Sequence, residues 1–207
     1  MPGVDLAVTW RALLERRLTV CAQGNGDFGR SVVTRVNSEG AQVPLKDIEI
    51  TVLGRVLAGE QQKAVAFELG IACSTTSKWY TSSRLQLKLM DRPTPLPLVI
   101  AAQASTTRRP AAVDARSAAF MYDGELYFVL TVPRPTIDDS TPLTQAERMV
   151  AALVIEGVPR WEIAGLRGTS AQTVACQLRG IYSKYRLTGR HALIARAVEL
   201  GWFAETR

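Results

Sequence analysis

The chain has 207 residues, of which 47% are hydrophobic and 21% charged, and its 25 lysines and arginines outnumber 19 acidic residues, for a net charge of +6. This composition is typical of a globular protein and excludes collagen, low-complexity disorder and disulfide-rich scaffolds. No apolar run approaches the roughly 18 residues of a membrane-spanning helix, and the N-terminus lacks the apolar segment of a signal peptide. We therefore expect a cytoplasmic protein without a membrane partner. The basic charge indicates either nucleic acid or an acidic molecule as partner, or simply a solvated basic surface.

The first half predicts a helix, a hairpin and a helical unit. An apolar periodicity indicates a helix over residues 6–17. Two β-rich segments, 18–22 and 31–36, flank a glycine-rich stretch and indicate a hairpin. The stretch lacks the Lys-Ser/Thr pair of a phosphate-binding loop, so we interpret it as a turn. A helical unit follows over residues 44–104, and its three closely spaced prolines predict that its last helix begins late.

The second half begins after a linker predicted at residues 105–114. Asp123-Gly124 lies between β-rich segments at 118–122 and 125–132, and this pattern is a strong hairpin signal. We expect the two hairpins of the chain to pair into one sheet, because pairing removes strand edges that invite aggregation.

The helical unit of the second half, residues 142–202, has clear helix boundaries. Thr144 and Glu147 form a capping box before an amphipathic helix, and Gly157 is suited to end that helix. Ser170 predicts the N-cap of a third, longer helix. Two short helices followed by a longer capped helix are the layout of a helix-turn-helix.

The two halves align without a gap over about sixty residues when the sequence is shifted by 98. The matching positions are helix-core residues, caps and turn glycines, including Leu45 with Leu143, Glu49 with Glu147, Val56 with Val154, Gly59 with Gly157, and Gly70 with Gly168. We therefore predict an α+β fold, mainly α with a small sheet. It has an N-terminal domain over 1–104 and a second domain over 115–207, each with a hairpin before a four-helix unit.

Specific motifs mark both units. In the second they are Leu143-Thr-Gln-Ala-Glu147, Glu156-Gly157, Glu162-Ile-Ala164, Gly168-Thr-Ser170, Thr173-Val174 and Ile181-Tyr-Ser-Lys184. In the first they are Leu45, Glu49, Gly59, Lys63, Val65-Ala66, Leu69-Gly-Ile71, Ser74-Thr75 and Leu89, with Ala72 at the position of the capping Ser170. These residues resemble the LuxR-type helix-turn-helix, a four-helix DNA-binding module of bacterial transcription regulators. Together the two units resemble a tandem LuxR-type regulator.

The resemblance implies that the third helix of each unit is a recognition helix. The outward positions that would contact bases are Gln172, Thr173, Ala175, Cys176, Gln177 and Arg179 in the second unit and Ser74, Thr75, Ser77, Lys78, Trp79 and Thr81 in the first. The phosphate contacts would be Lys63, Lys88, Arg92, Arg160, Lys184 and Arg190. It also implies that the last helices of the two units contact each other, so that one chain forms a pseudo-dimer. Because the two outward faces differ, a perfectly palindromic site is not expected.

Several of these positions have a second interpretation. Arg179 either contacts a guanine edge or a phosphate, or is a solvated surface residue. Trp79 either stacks on a deoxyribose or packs in the core. Cys176 is either redox-sensitive or simply a small residue, and His191 either contacts phosphate or is an ordinary surface histidine.

The sequence therefore predicts a DNA-binding transcriptional regulator of the nucleoid that binds double-stranded DNA with one or both modules. A second copy of the chain and RNA polymerase are further expected partners. The alternative is a protein-interaction co-regulator that binds another regulator or RNA polymerase. The net charge of only +2 over residues 44–104 favours that alternative. One histidine, no P-loop and no Ser/His/Asp arrangement lead us to expect no enzyme, no metal and no cofactor.

Overall fold

A computed structural model describes residues 5–38, 43–89, 93–106 and 113–204. Within these ranges the chain is an α+β protein with nine helices and four strands. In chain order the elements are α1 (Leu6–Leu14), β1 (Leu18–Asn25), β2 (Gly29–Val36), α2 (Asp47–Leu57), α3 (Gln62–Glu68), α4 (Cys73–Gln86), α5 (Leu96–Thr106), β3 (Arg116–Tyr122), β4 (Glu125–Pro133), α6 (Gln145–Glu156), α7 (Arg160–Leu166), α8 (Ala171–Tyr185) and α9 (Arg190–Glu199).

The four strands form one antiparallel sheet in the order β1-β2-β4-β3. Each hairpin supplies two neighbouring strands, and the pairing of β2 with β4 joins the hairpins, as predicted. The register places Val32 opposite Leu130, and both side chains are fully buried. These two residues are 98 positions apart in the sequence. Antiparallel strands centred on such a pair have an approximate two-fold relation, so the sheet brings the two halves together symmetrically.

The helices form two four-helix units, which we call the first unit (α2–α5) and the second unit (α6–α9). The helices α2, α3 and α4 begin 98 residues before α6, α7 and α8, at Asp47, Gln62 and Cys73 against Gln145, Arg160 and Ala171. The predicted repeat is thus confirmed in the helix boundaries, and we call residues 98 apart equivalent. The last helix of the first unit begins late, because Pro93 and Pro95 precede it and proline disfavours helix in the residue before it.

Three predicted boundaries need correction. The first helix ends at Leu14 instead of Arg17, because Arg16 adopts a left-handed conformation with φ of 60°. The strands of the first hairpin extend into the glycine-rich stretch, to Asn25 and from Gly29. The predicted linker starts too early, because helix α5 continues to Thr106, and most of the remaining linker lies outside the described residues.

Helix α5 lies at the centre of the molecule. Every residue from Leu96 to Gln103 is buried, since the helix is apolar on all sides and packs against α1, α2, α9 and the sheet. Gln103 is the polar exception. Its Nε2 donates to the carbonyl oxygen of Leu57 at 2.9 Å and to that of His191 at 3.1 Å, so one side chain links the two units. The predicted contact between the last helices is confirmed.

Two turn glycines make reciprocal contacts between the units. Gly59 ends α2 with φ of 101°, and Gly157 ends α6 with φ of 93°. A Cβ atom on Gly59 would lie 2.7 Å from Cα of Ala192, at the start of α9. A Cβ atom on Gly157 would lie 2.6 Å from Cγ of Pro93, before α5. Each unit thus places its first turn against the start of the other unit's last helix, as a two-fold interface requires.

The third helices of the two units differ in their N-terminal caps. Ser170 caps α8, where its hydroxyl accepts a hydrogen bond from the backbone N–H of Thr173 at 3.0 Å. Ala72 occupies the equivalent position before α4 with a similar extended backbone, φ of −68° and ψ of 143°, and has no side chain to accept such a bond. The third helix of the second unit is therefore better anchored at its start.

Replacing Gly59 by Ala should test the contact between the units. We expect a loss of about 2–4 kcal/mol in the free energy of unfolding, because left-handed strain adds to overlap with the α9 backbone. Gly70→Ala is the control, since Gly70 also has positive φ, 66°, but no atom within 4 Å of a Cβ. It should lose only about 1 kcal/mol. Urea denaturation measures both, and equal losses would contradict a stabilising role for this contact.

The missing cap of α4 should be restorable. Ala72→Ser should raise the free energy of unfolding by about 0.5–1 kcal/mol, because the backbone geometry already suits a capping hydroxyl. Ser170→Ala, the matched change in the second unit, should lower it by about 1 kcal/mol. Thermal and urea unfolding of both variants check the pair. A serine at position 72 that leaves stability unchanged would show that α4 starts differently from α8.

Candidate nucleic-acid interface

The third helix of the second unit presents a polar face to solvent. Val174, Leu178 and Ile181 are buried and hold α8 on the core. The opposite face exposes four of the predicted contact residues, Gln172, Thr173, Cys176 and Arg179. The other two, Ala175 and Gln177, are half-buried, and Gln177 accepts a hydrogen bond from Arg167.

The third helix of the first unit has a similar outward face with smaller side chains. Four predicted contact residues are exposed on α4, namely Ser74, Ser77, Lys78 and Thr81. Thr75 is half-buried. Trp79 is also half-buried and packs against a small cluster formed by Val52, Val56 and Val65. Of the two interpretations of Trp79, the structure supports packing in the core.

One side of each third helix lines a single cleft of about 1010 Å³. Of the predicted contact residues, those that line it are Ser77, Thr81, Gln172, Ala175 and Arg179. Its walls consist largely of equivalent residues, Gln62 with Arg160, Ser77 with Ala175, and Thr81 with Arg179. Because every such pair contributes one residue from each unit, the cleft lies on the approximate two-fold relation between the units. The sheet and the last helices therefore place the two third helices on either side of a single opening.

The described charged residues that line this cleft are all basic. Arg160 and Arg179 are exposed at its wall, Arg84 and Arg190 lie deeper, and no Asp or Glu is among the described lining residues. The guanidinium of Arg179 contacts the Sγ atom of Cys176 at 3.0 Å. Among the described residues, the ion pairs of at most 4.0 Å include neither Arg160 nor Arg179. Both arginines are therefore available to an anionic ligand.

Arg190, a predicted phosphate contact, has a different role in the structure. Its guanidinium donates to the carbonyl oxygens of Val154 at 2.9 Å, Ile155 at 2.9 Å and Thr94 at 3.0 Å. Burial lowers the pKa of Arg190 to about 10, so the side chain stays protonated at neutral pH. It satisfies the last carbonyls of α6 and ties them to the first unit.

Lys184, a second predicted phosphate contact, is also engaged within the protein. Its Nζ donates to a carboxylate oxygen of Glu147 at 2.6 Å and to the carbonyl oxygen of Pro142 at 3.1 Å. Burial raises the pKa of Glu147, but hydrogen bonds from Lys184 and Thr144 outweigh it, so the pKa lies below its usual value. Because Glu147 completes the capping box of α6, Lys184 connects α8 to the start of that helix.

His191 lies at the contact between the units and not on a solvated surface. Its Nδ1 is 3.1 Å from the carbonyl oxygen of Val56, so this nitrogen carries the proton and donates. Burial is the main reason that the pKa of His191 falls to about 4. The positive charge of the neighbouring Arg190 also lowers the pKa, and this effect is larger than the increase caused by the bond to Val56. A protonated His191 would place a second buried cation beside Arg190, so the native state keeps the ring neutral.

The remaining predicted phosphate contacts lie at different places. Lys63 on α3 and Lys88 after α4 are exposed, and Lys88 has a left-handed backbone with φ of 55°. Neither of them lines the cleft. Arg92 lies outside the described residues.

The sequence-based predictions omitted several cleft residues, including Gln62, Tyr80 and Arg84. Gln62 is the equivalent of Arg160, so the 98-residue shift would have found it. Tyr80 and Arg84 line the first unit's side of the cleft, and the guanidinium carbon of Arg84 is 5.6 Å from the ring centroid of Tyr80. A guanidinium nitrogen of Arg84 also donates to the carbonyl oxygen of Leu89 at 2.6 Å. No local sequence pattern predicts that Arg84 is buried.

The pH dependence of stability should report on His191, the single histidine of the chain. Its pKa is about 4 when folded and about 6.5 when unfolded, so the unfolded state gains a proton first as the pH falls. The wild type should lose about 2 kcal/mol between neutral pH and about pH 5. His191→Asn, which retains a donor, should show a flatter dependence over this range in urea denaturation. Parallel curves for the two proteins would contradict a buried neutral histidine.

No protein-family model, no curated protein and no solved structure matches this chain. In the part of the chain that the structure describes, no helix is both long enough and apolar enough to cross a bilayer. The geometry of the cleft and the residues around it therefore provide the basis for a functional proposal.

Proposed function

We propose that the chain is a DNA-binding transcriptional regulator in which each four-helix unit is a LuxR-type helix-turn-helix module. The observation that carries the proposal is the basic cleft, which is lined by residues of both α4 and α8 and has no acidic residue among its described lining residues. The two units act as an intramolecular pseudo-dimer. The ligand is double-stranded DNA of the bacterial nucleoid.

The approximate two-fold relation supports a duplex as ligand. Dimeric helix-turn-helix proteins place two recognition helices against one face of a duplex, and the symmetry of the protein matches that of the DNA backbone. Here one chain supplies both helices, related through the β2–β4 pairing and through the contacts of Gly59 and Gly157. Arg160 and Arg179 are exposed and form none of the ion pairs found among the described residues, so they favour phosphate, because binding releases condensed counterions.

The proposed contact set follows the exposed polar residues. In the second unit it comprises Arg160, Gln172, Thr173, Cys176 and Arg179, and in the first Lys63, Ser74, Ser77, Lys78, Thr81 and Lys88. Arg190 and Lys184 are omitted because their hydrogen bonds are made within the protein, where they position the helices that carry the contacts. Thr75, Ala175, Gln177 and Trp79 are left out of the set because they are half-buried, although Ala175 also lines the cleft.

A protein-interaction co-regulator is the second candidate. Three large apolar side chains on the second helices are exposed, Phe67 by 87%, Trp161 by 72% and Leu166 by 66%. Exposed apolar groups of this size favour a protein partner such as RNA polymerase, another regulator or a second copy of the chain. On this alternative the basic cleft is not a DNA site, so the two candidates differ in whether purified protein binds a duplex by itself.

Fluorescence anisotropy with a random duplex of about three helical turns tests the proposal. We expect wild-type binding that weakens steeply between about 50 and 200 mM salt. Arg160→Ala/Arg179→Ala should lower affinity by about tenfold or more and reduce the salt slope by about 2, because two phosphate or base contacts are lost. Thermal unfolding confirms that both proteins are folded.

The matched control variant removes two positive charges at positions outside the cleft. Arg11 and Arg134 are exposed and do not line the cleft, so Arg11→Ala/Arg134→Ala should bind within about twofold of wild type. Equal losses for the two double variants would indicate general charge attraction without a site. Absence of binding at low salt would overturn the DNA proposal and favour the protein partner.

A further inference from the structure

The two walls of the cleft carry different chemistry at equivalent positions. Arg179 of the second unit is equivalent to Thr81 of the first, and Arg160 is equivalent to Gln62. On the third helices, Gln172 lines the cleft, whereas its equivalent Ser74 is not among the lining residues. The approximate symmetry of the backbone is therefore combined with a strong asymmetry of side chains.

These side chains differ in how well they distinguish bases. Arginine makes two hydrogen bonds to guanine O6 and N7, and glutamine makes two to adenine N6 and N7, so each selects one base. Serine and threonine hydroxyls both donate and accept, and they pair with any base. Gln172 and Arg179 can therefore read sequence, whereas Ser77 and Thr81 tolerate many sequences.

The first unit places its cations outside the cleft. Lys63 and Lys78 are exposed next to Gln62 and Ser77 but do not line the cleft. Lysine can pair with guanine in a groove, but against phosphate it acts as a point charge and reads no base. The first unit thus has the means for sequence-independent attraction.

The third helix of the second unit is also held more firmly. Ser170 caps α8, and Lys184 bonds to Glu147 at the start of α6. At the equivalent positions the first unit has Ala72, without a capping oxygen, and Gln86, whose Nε2 donates to Ser82 within the same helix. Base readout requires a fixed helix, because a misplaced donor loses its paired geometry.

We propose that sequence specificity resides in the second unit, with Gln172 and Arg179 as the specificity-determining residues. This inference rests on the proposed function. The first unit adds affinity through Lys63, Lys78 and hydroxyl contacts that accept most sequences. The operator therefore has one defined half-site, under α8, and one degenerate half-site, under α4.

Selection of bound duplexes from a randomised library tests this division. The full-length wild type should enrich a site that is defined in one half only. Gln172→Ala/Arg179→Ala should reduce the ratio of affinities for the selected and a scrambled duplex by about tenfold or more. The matched change in the first unit, Ser74→Ala/Thr81→Ala, should weaken binding to both duplexes similarly and leave the ratio within about twofold.

A gain of function provides a second test. Ser74→Gln/Thr81→Arg gives α4 the two residues of α8, and it should enrich a site with two defined half-sites in inverted orientation. Circular dichroism verifies that this variant is folded. A wild-type site with two equally defined halves, or an equal loss of preference in the first unit's variant, would overturn the inference while the proposed function stands. No duplex binding by wild type would instead remove the proposed function itself.

Discussion

The pairing of β2 with β4 is the constraint on which the rest of the structure depends. It brings Val32 and Leu130, which the repeat makes equivalent, to the buried centre of one sheet. Each hairpin alone would present an unpaired edge, and together they remove two edges and set an approximate two-fold relation. The contact between the last helices and the reciprocal contacts of the two turn glycines follow that relation.

The contact between the units is unusually polar for a chain with such an apolar central helix. At this contact Arg190, His191 and Gln103 donate hydrogen bonds to backbone carbonyl oxygens, and some of these carbonyls lie at helix ends. Burial of a cation is tolerated because three carbonyl oxygens replace its water. The same surroundings keep His191 neutral. Because hydrogen bonds are directional, these side chains constrain the angle between the units more strictly than apolar packing alone would.

The cleft between the third helices is a consequence of this assembly. The sheet sets where the units lie, the last helices close the contact, and the outward faces of α4 and α8 are left on either side of one opening. The framework is symmetric because the two halves share turn glycines and core positions, whereas the side chains that line the cleft differ. Gln62 and Thr81 occupy the positions in the first unit that are equivalent to Arg160 and Arg179 in the second.

Local rules were sufficient for the boundaries of the second unit. The capping box of Thr144 and Glu147, the left-handed Gly157 and the cap at Ser170 all depend on neighbours within a few residues. The same is true of the Asp123-Gly124 hairpin. Arg16 shows the limit, because the sequence does not signal its left-handed conformation, and the first helix ends earlier than its apolar pattern predicts.

The sequence by itself determined the repeat, the helix and strand types, the expectation of a mixed fold and the exposed polar face of α8. Only the tertiary structure decided which basic side chains remain available to an anionic ligand. Arg190 bonds to Thr94, and Lys184 bonds to Glu147, partners far away in the chain. Whether a basic side chain is solvated or bonds to a carbonyl depends on which distant residues the fold places beside it. The spacing of residues along the sequence does not contain this information.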